Sequence, residues 1–195
     1  FSYDVDKYDA SAVSLNAETG KLNVAFVSRV EQSKGLDTLL KVAEILSSRG
    51  YIGKIVFDLY GQKRDDYFDA HMTGKPMLEY KGILQPDEVL NTLKSYDALI
   101  FPTHYDGEGC PGILVEALSV GLPIIASDWK YNAEFVEDGI NGFLCQTFNA
   151  ESYVNAIISL AESPDMRKVM AWESYVKSRF FSVDEARELL NRIIS

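Results

Sequence analysis

Short apolar segments alternate with helical segments along most of the chain, and this alternation limits the fold more than any other feature of the sequence. The segments with the length and apolar content of buried strands are residues 22–27, 55–60, 77–80, 97–101, 123–126 and 143–145. Strands separated by helices form βαβ units, whose strands pair in parallel and whose helices cover both faces of the sheet. The sequence therefore predicts a doubly wound, mostly parallel α/β sheet of about six strands.

The helical segments have recognisable ends. Apolar residues recur at helical spacing over 36–46 and stop before Gly50. Further helices are predicted over 86–93, where Pro86 occupies the first turn, and over 112–120 and 131–137. The stretch between the second and third strands is polar and poorly periodic. Beyond residue 145 the sequence predicts a helical tail, with starts at Asn149 or Glu151, at Ser163-Pro164, and at a capping box formed by Ser182 and Glu185.

The chain begins with Phe1, and its first ten residues have no strong helical or strand period. We therefore interpret it as a fragment of a longer protein. The expected division is a linker remnant at 1–20, one α/β domain at 21–180 and a C-terminal helix at 181–195. A chain of 195 residues can bury enough surface to fold without a metal or disulfide.

The net charge of −10 argues against nucleic acid as a partner, because neutralising phosphates requires a surplus of Lys and Arg. An anionic small molecule still fits, since it needs only a few well-placed cations. Cys110 and Cys145 form no C-x-x-C pair, so neither a zinc site nor a disulfide framework is indicated. No apolar stretch approaches the length of a membrane span, and no secretory signal is present. We expect a cytoplasmic protein.

The loop after the first strand carries two cations before a helix. Arg29 and Lys34 are five positions apart, and Gly35 precedes the helix that begins near Leu36. Unpaired amides at a helix N-terminus, together with Arg and Lys, can hold a diphosphate. The alternative is that both are solvated loop cations. The glycines of a Walker loop or a dinucleotide fingerprint are absent, which argues against a dinucleotide oxidoreductase.

The loop after the fourth strand leads into a helix that is apolar on all sides except at Glu116. A carboxylate in such a helix needs a donor partner or has a raised pKa, because a buried unpaired charge is costly. An internal Arg or a bound ligand could supply that donor. Glu108 lies eight positions earlier, on the loop that faces the N-terminus of the same helix. His104, in the same loop, is either a sugar contact or a solvated loop residue. Asp65, Asp66 and Asp69 are interpreted as a solvated face rather than a metal site.

These residues resemble a known family. The spacing from Glu108 to Glu116, followed by residues 117–127, is similar to the signature of the retaining, nucleotide-sugar-dependent group 1 glycosyltransferases. Arg29 and Lys34 match the first-loop element of that family, and residues 134–143 match a later one. The resemblance runs from about residue 20 to 145 and implies one Rossmann-like half of a GT-B fold, in which two such halves face each other. The matching half is the C-terminal, donor-binding one.

The resemblance implies that Arg29 and Lys34 bind the donor diphosphate, that Glu108 contacts the transferred sugar and that Glu116 binds the ribose hydroxyls. Arg29, Lys34 and Glu108 would carry the catalysis. The resemblance also implies that backbone amides meet the phosphates, at Gly112, Ile113 and Leu114. The base would pack against Ile83 and Leu84. Pro111 stands where many members have another residue, and it removes one amide that could meet the ligand. The family is described as needing no metal, so neither metal nor cofactor is expected.

The expected activity is therefore transfer of a sugar from a nucleoside diphosphate sugar, with UDP preferred, to a glycan or lipid-linked acceptor with retention. The expected partner is a missing N-terminal acceptor-binding half, through which a peripheral membrane contact of the longer protein would be made. Without that half, the fragment should not transfer sugar. Two alternatives are half of a nucleotide-sugar epimerase and a non-catalytic nucleotide-sugar-binding module.

Overall fold

The predicted strands pair into a single parallel sheet. Within residues 20–64, 67–72 and 74–181, which this computed structural model describes, six strands are hydrogen-bonded in the order β3-β2-β1-β4-β5-β6. They are β1 (Leu22–Val27), β2 (Ile55–Tyr60), β3 (Leu78–Gly82), β4 (Ala98–Phe101), β5 (Ile124–Ser127) and β6 (Gly142–Cys145). Every pairing is parallel. The strand order reverses beside β1, and in open α/β sheets ligands bind at the carboxyl end of such a switch point, here between β1 and β4.

Helices connect the strands and continue beyond the last one. They are α1 (Leu36–Ser48), α2 (Tyr67–Met72), α3 (Val89–Leu93), α4 (Gly112–Ser119), α5 (Asn132–Phe135), α6 (Ala150–Glu162) and α7 (Pro164–Ser178). Short 3-10 turns lie at Gln32–Lys34 and Arg179–Phe181. The predicted α/β class, the doubly wound sheet and the helical character of the tail are thus confirmed.

The sheet separates two apolar cores, because successive side chains of a strand point to opposite faces. One core contains Phe26 and Ile100 and is covered by α1 and α6. The other contains Ala25 and Leu99 and is covered by α3 and α4. Helix α7 packs on α4, where the buried Ser174 hydroxyl donates to the Leu122 carbonyl oxygen at 2.8 Å. Both faces of the sheet are therefore closed, and the loops at its carboxyl edge remain available to a ligand.

The structure corrects two local predictions. The helix expected from Pro86 begins only at Val89, because residues 85–88 form a turn in which the Glu88 carboxylate accepts from the Gln85 amide. The polar stretch before β3 contains α2. Among the side chains of α2 that the structure describes, Phe68 is buried in the core and its neighbour Tyr67 packs partly buried against it. Two adjacent residues produce no apolar period, so the sequence did not indicate this helix.

The predicted caps of the tail are confirmed as far as the structure describes them. The Asn149 side chain accepts from the amide of Glu151 at the start of α6. Ser163 caps α7 through the amide of Met166, with Pro164 at the first helical position. Two predicted segments lie outside the described residues. They are the C-terminal helix with its capping box at Ser182, and the linker at the N-terminus.

Two glycines allow the loops at the carboxyl edge to touch. Gly35 has φ of 86°, and a Cβ there would lie 2.1 Å from the Pro102 carbonyl oxygen. Gly61 has φ of 140°, and its Cβ would lie 1.7 Å from the Ser28 carbonyl oxygen. Glycine alone fits both the backbone conformation and the space. These contacts bring the loop after β1 against the loops after β2 and β4.

Candidate functional site

Lys34 and Glu108 form an ion pair at the switch point. The Lys34 ammonium nitrogen lies 2.7 Å from Glu108 Oε2, and their side chains are only 9% and 11% exposed. The buried Thr103 hydroxyl donates to the same carboxylate oxygen at 2.7 Å. The first loop is also joined to this region by the His104 amide, which donates to the Ser33 carbonyl oxygen at 2.9 Å. The structure therefore brings together two of the residues that the sequence analysis singled out.

Arg29 lies near the same cluster through an aromatic ring. Its guanidinium carbon is 5.1 Å from the centroid of the Tyr105 ring, and Lys34 Nζ is 4.3 Å from that centroid. Arg29 also pairs with Glu31 at 3.3 Å, and its side chain is 36% exposed. Two positive charges of an acidic chain thus share one small region at the carboxyl edge of the sheet.

Helix α4 begins immediately after this loop. Pro111 is its N-cap and supplies no side-chain cap, while the amide of Leu114 donates to the Pro111 carbonyl oxygen at 3.0 Å. Of the three amides predicted to meet phosphates, the one at Leu114 thus already has an acceptor. Those of Gly112 and Ile113 have none among the described residues. They occupy the first turn, where helix geometry leaves amides available to an anion.

Glu116 lies in the middle of α4 and is half-buried. Within the described part of the chain no side chain or amide donates to the Glu116 carboxylate. No arginine of that part of the chain is therefore the internal donor that the sequence left open. Burial raises the pKa of Glu116 above the ordinary carboxyl value, because desolvation disfavours the charged form. The site therefore contains a carboxylate that a hydroxyl donor of a ligand could satisfy.

The loop after β4 is held by residues that the sequence analysis did not identify. The Ser127 hydroxyl donates to the Thr103 carbonyl oxygen at 2.5 Å, and the Asn132 amide group donates to the Ser127 carbonyl oxygen at 3.0 Å. Trp129 Nε1 donates to the Tyr105 carbonyl oxygen at 3.0 Å. These bonds fix the loop that carries Glu108. No local sequence pattern predicts these three bonds. The signal that could have identified Tyr105 is its place as an aromatic residue between Pro102 and the loop glycines.

His104 is half-buried rather than freely solvated. Its ring packs on that of Phe148 with centroids 4.8 Å apart, and its Nδ1 is buried without a hydrogen-bond partner among the described residues. Ile83 and Leu84 follow β3 at the same edge of the sheet, with Ile83 60% exposed and Leu84 partly buried. The structure thus places them at the carboxyl edge, separated from β1 by β2 in the sheet order.

The acidic residues at 65–69 run into α2, which contains Asp69. The Asp69 carboxylate accepts from Lys63 Nζ at 2.5 Å, whereas Asp65 and Asp66 lie outside the described residues. Across the described ranges no three His, Cys, Asp or Glu residues are grouped closely enough to hold a metal ion. In the same ranges no helix is both long and apolar enough to cross a membrane.

The family described as glycosyl transferases group 1 matches residues 8–177, most of the chain. The chain belongs to this family. The resemblance that the motifs indicated is thereby confirmed, and it extends beyond the span from which it was inferred.

Curated relatives of this group 1 glycosyltransferase chain include an uncharacterised glycosyltransferase of Methanocaldococcus jannaschii and the amylovoran biosynthesis glycosyltransferase of Erwinia amylovora. Each is 25% identical over 183 residues, covering 90% and 88% of the chain. The chain spans 46% and 45% of the lengths of these two proteins, so it corresponds to less than half of each.

Solved structures share the fold of this group 1 glycosyltransferase chain. TarM of Staphylococcus aureus, crystallised in one form with UDP, has a TM-score of 0.76 at 22% identity, covering 88% of this chain and 35% of TarM. HepE of Anabaena, crystallised with UDP-glucose, has a TM-score of 0.78 at 20% identity, covering 99% of this chain and 55% of HepE. At these identities the likeness shows a common Rossmann-like fold.

Proposed function

We propose that this chain is the donor-binding half of a retaining glycosyltransferase, which moves a sugar from a nucleoside diphosphate to a glycan or lipid-linked acceptor. One observation carries the proposal. The ion pair between Lys34 and Glu108 joins the loop after β1 to the loop before α4, at the switch point of the sheet. Two cations, an uncapped helix N-terminus and a carboxylate without a described partner thereby lie on adjoining elements, as a nucleotide sugar requires.

We assign the diphosphate to Arg29 and Lys34, with the amides of Gly112 and Ile113 as further donors. The bond between the sugar and the diphosphate oxygen breaks as negative charge accumulates on the diphosphate. Fixed positive groups at that point stabilise the transition state more than the ground state. In the ligand-free chain, the carboxylate of Glu108 is the anion beside Lys34. A bound diphosphate would share or replace this contact and leave Glu108 free to meet the sugar.

The other contacts follow from the same arrangement. Glu116 would accept hydrogen bonds from the ribose hydroxyls, which would satisfy its half-buried carboxylate. The base would pack on the residues that follow β3, the exposed Ile83 and the partly buried Leu84, and His104 would contact the sugar. UDP is the preferred nucleotide because TarM and HepE were crystallised with it or with its sugar.

The acceptor would be bound by the remainder of a longer protein, since the chain spans less than half the length of the relatives described above. We expect no transfer by the chain alone, because positioning the two reactants can supply roughly 7–11 kcal/mol of the barrier. The same missing half would carry a peripheral membrane contact, in a protein that acts in the cytoplasm.

A thermal-shift panel of UDP, GDP and ADP on the isolated chain tests the binding site. A ligand at 100 times its dissociation constant should stabilise the fold by about 2.7 kcal/mol. Arg29→Ala should weaken this shift. Lys41→Ala, which removes an exposed cation from α1, should not. No shift with any of the three nucleotides, or equal loss in both variants, would contradict the assignment.

The reaction itself is tested on the longer protein with labelled nucleotide sugars and candidate acceptors. Transfer of the label with the anomeric configuration kept is the expected result. Epimerisation of the nucleotide sugar would favour the epimerase alternative, and binding without reaction would favour a non-catalytic module. Transfer with inversion would refute the retaining mechanism while leaving the donor site intact.

A further inference from the structure

The Tyr105 ring contacts both cations of the diphosphate site proposed above. Its centroid is 4.3 Å from the Lys34 ammonium nitrogen and 5.1 Å from the Arg29 guanidinium carbon. Cations within about 6 Å of an aromatic face are attracted by the negative face of the ring. Arg29 and Lys34 belong to one short loop, and their like charges repel each other. Each cation also pairs with its own carboxylate, Lys34 with Glu108 and Arg29 with Glu31. The Tyr105 ring is the group that contacts both cations at once.

The backbone of Tyr105 is itself held firmly. Its amide donates to the Thr103 hydroxyl at 3.3 Å. Its carbonyl oxygen accepts from the Glu108 amide at 3.0 Å and from Trp129 Nε1 at 3.0 Å. These three bonds tie Tyr105 to its own loop and to the loop after β5. The ring thus extends from a backbone position that is held by hydrogen bonds. It can therefore restrict the positions of the longer side chains that contact it, Arg29 and Lys34.

A glycine makes room for the ring. A Cβ on Gly107 would lie 2.7 Å from Tyr105 Cε1 and 2.8 Å from both Cζ and the hydroxyl oxygen. The φ of Gly107 does not lie in the left-handed region, so its backbone would accept another residue and the ring is the obstacle. The described residues offer no hydrogen-bond partner to the Tyr105 hydroxyl. The contribution of Tyr105 therefore comes from the face of its ring.

We propose that Tyr105 is a positioning residue, whose ring sets the places of the Arg29 and Lys34 charges that receive the donor diphosphate. This inference rests on the function proposed above and adds to it a residue that acts through the two cations. The aromatic face keeps the two charges close together before the ligand arrives. The diphosphate then has less side-chain freedom to remove when it binds.

Titration calorimetry with UDP on four variants of the chain tests this role. Tyr105→Phe keeps the aromatic face and should bind UDP as the wild type does. Tyr105→Leu removes the aromatic face and should weaken binding by about 5- to 150-fold, because two long side chains must then be ordered when the ligand binds. Gly107→Ala keeps the ring but displaces it, and should weaken binding in the same direction. Tyr131→Leu removes an exposed tyrosine that has no described contact with either cation, and should have no effect.

A second measurement separates failure of this inference from failure of the proposed function. The Cε protons of Lys34 should show an upfield ring-current shift in NMR spectra of the ligand-free wild type and Tyr105→Phe, and lose it in Tyr105→Leu. If the wild type binds no nucleotide, the proposed function fails, and this shift alone decides whether the ring places the cations. Absence of the shift, or UDP binding by Tyr105→Leu that is as tight as or tighter than in the wild type, would overturn the inference.

Discussion

Replacing Glu116 by Gln should have opposite effects on the ligand-free fold and on nucleotide binding. The carboxylate is half-buried in α4 and has no donor among the described residues, and burial raises its pKa. The folded chain therefore holds this proton more tightly than the unfolded chain does. At neutral pH burial of this carboxyl group lowers the free energy of unfolding, and the neutral amide of Gln removes that penalty.

The sign of the pH dependence follows from the raised pKa. The penalty in the wild type is absent below the ordinary carboxyl pKa of about 4.3 and grows as the pH rises through the higher value of the folded chain. The gain in free energy of unfolding from Glu116→Gln should therefore also grow as the pH rises. This gain should be small, because solvent screens a half-exposed charge. In contrast, loss of hydrogen bonds from ribose hydroxyls to a carboxylate should cost about 1.5–3 kcal/mol, or about 10- to 150-fold in UDP affinity.

Melting curves with and without UDP, at several pH values, measure both effects on the same samples. Glu173→Gln is the matched control, since Glu173 is a partly buried carboxylate within α7. It should change neither UDP binding nor the pH profile in this way. A ligand-free Glu116→Gln chain that melts well below the wild type at pH 7 would mean that the carboxylate has a structural partner. Unchanged UDP affinity would refute the ribose contact.

Further substitutions test the ion pair, a close approach and the two thiols. Lys34→Met should lower the free energy of unfolding by about 2–4 kcal/mol, because it leaves the Glu108 carboxylate buried without its cation, and adding Glu108→Gln should restore part of the loss. An additive double variant in chemical denaturation would contradict this coupling. Gly35→Ala should cost more than about 2 kcal/mol, since its Cβ would meet a backbone carbonyl oxygen, and a wild-type denaturation midpoint would refute that contact. Burial raises the pKa of Cys145 to about 12, whereas Cys110 is exposed. A thiol reagent at pH 8 should therefore modify Cys110 alone in the native chain, and two rapidly reacting thiols would contradict the burial of Cys145.

The sequence by itself determined the six strands, the helices other than α2, and the order in which they follow one another. Apolar runs and helical periods are local properties, so β1, β2 and α1 could be located within a few residues. Alternation of strands and helices then fixed a parallel sheet with ligands at its carboxyl edge. Motifs on the loops after β1 and β4 were therefore assigned to the same edge, and their likeness to the group 1 glycosyltransferases named the family that the comparison confirmed.

Only the tertiary structure decided which side chains meet. Lys34 and Glu108 are 74 positions apart. Their pairing depends on the contact of Gly35 with Pro102 in the loop after β4, which no periodicity reveals. The position of the Tyr105 ring depends in the same way on bonds from a third loop. For Glu116 the sequence indicated an apolar helix, and the fold showed that no described residue satisfies the carboxylate. Local patterns record which face of an element is buried, whereas contacts between loops depend on the summed geometry of the whole sheet.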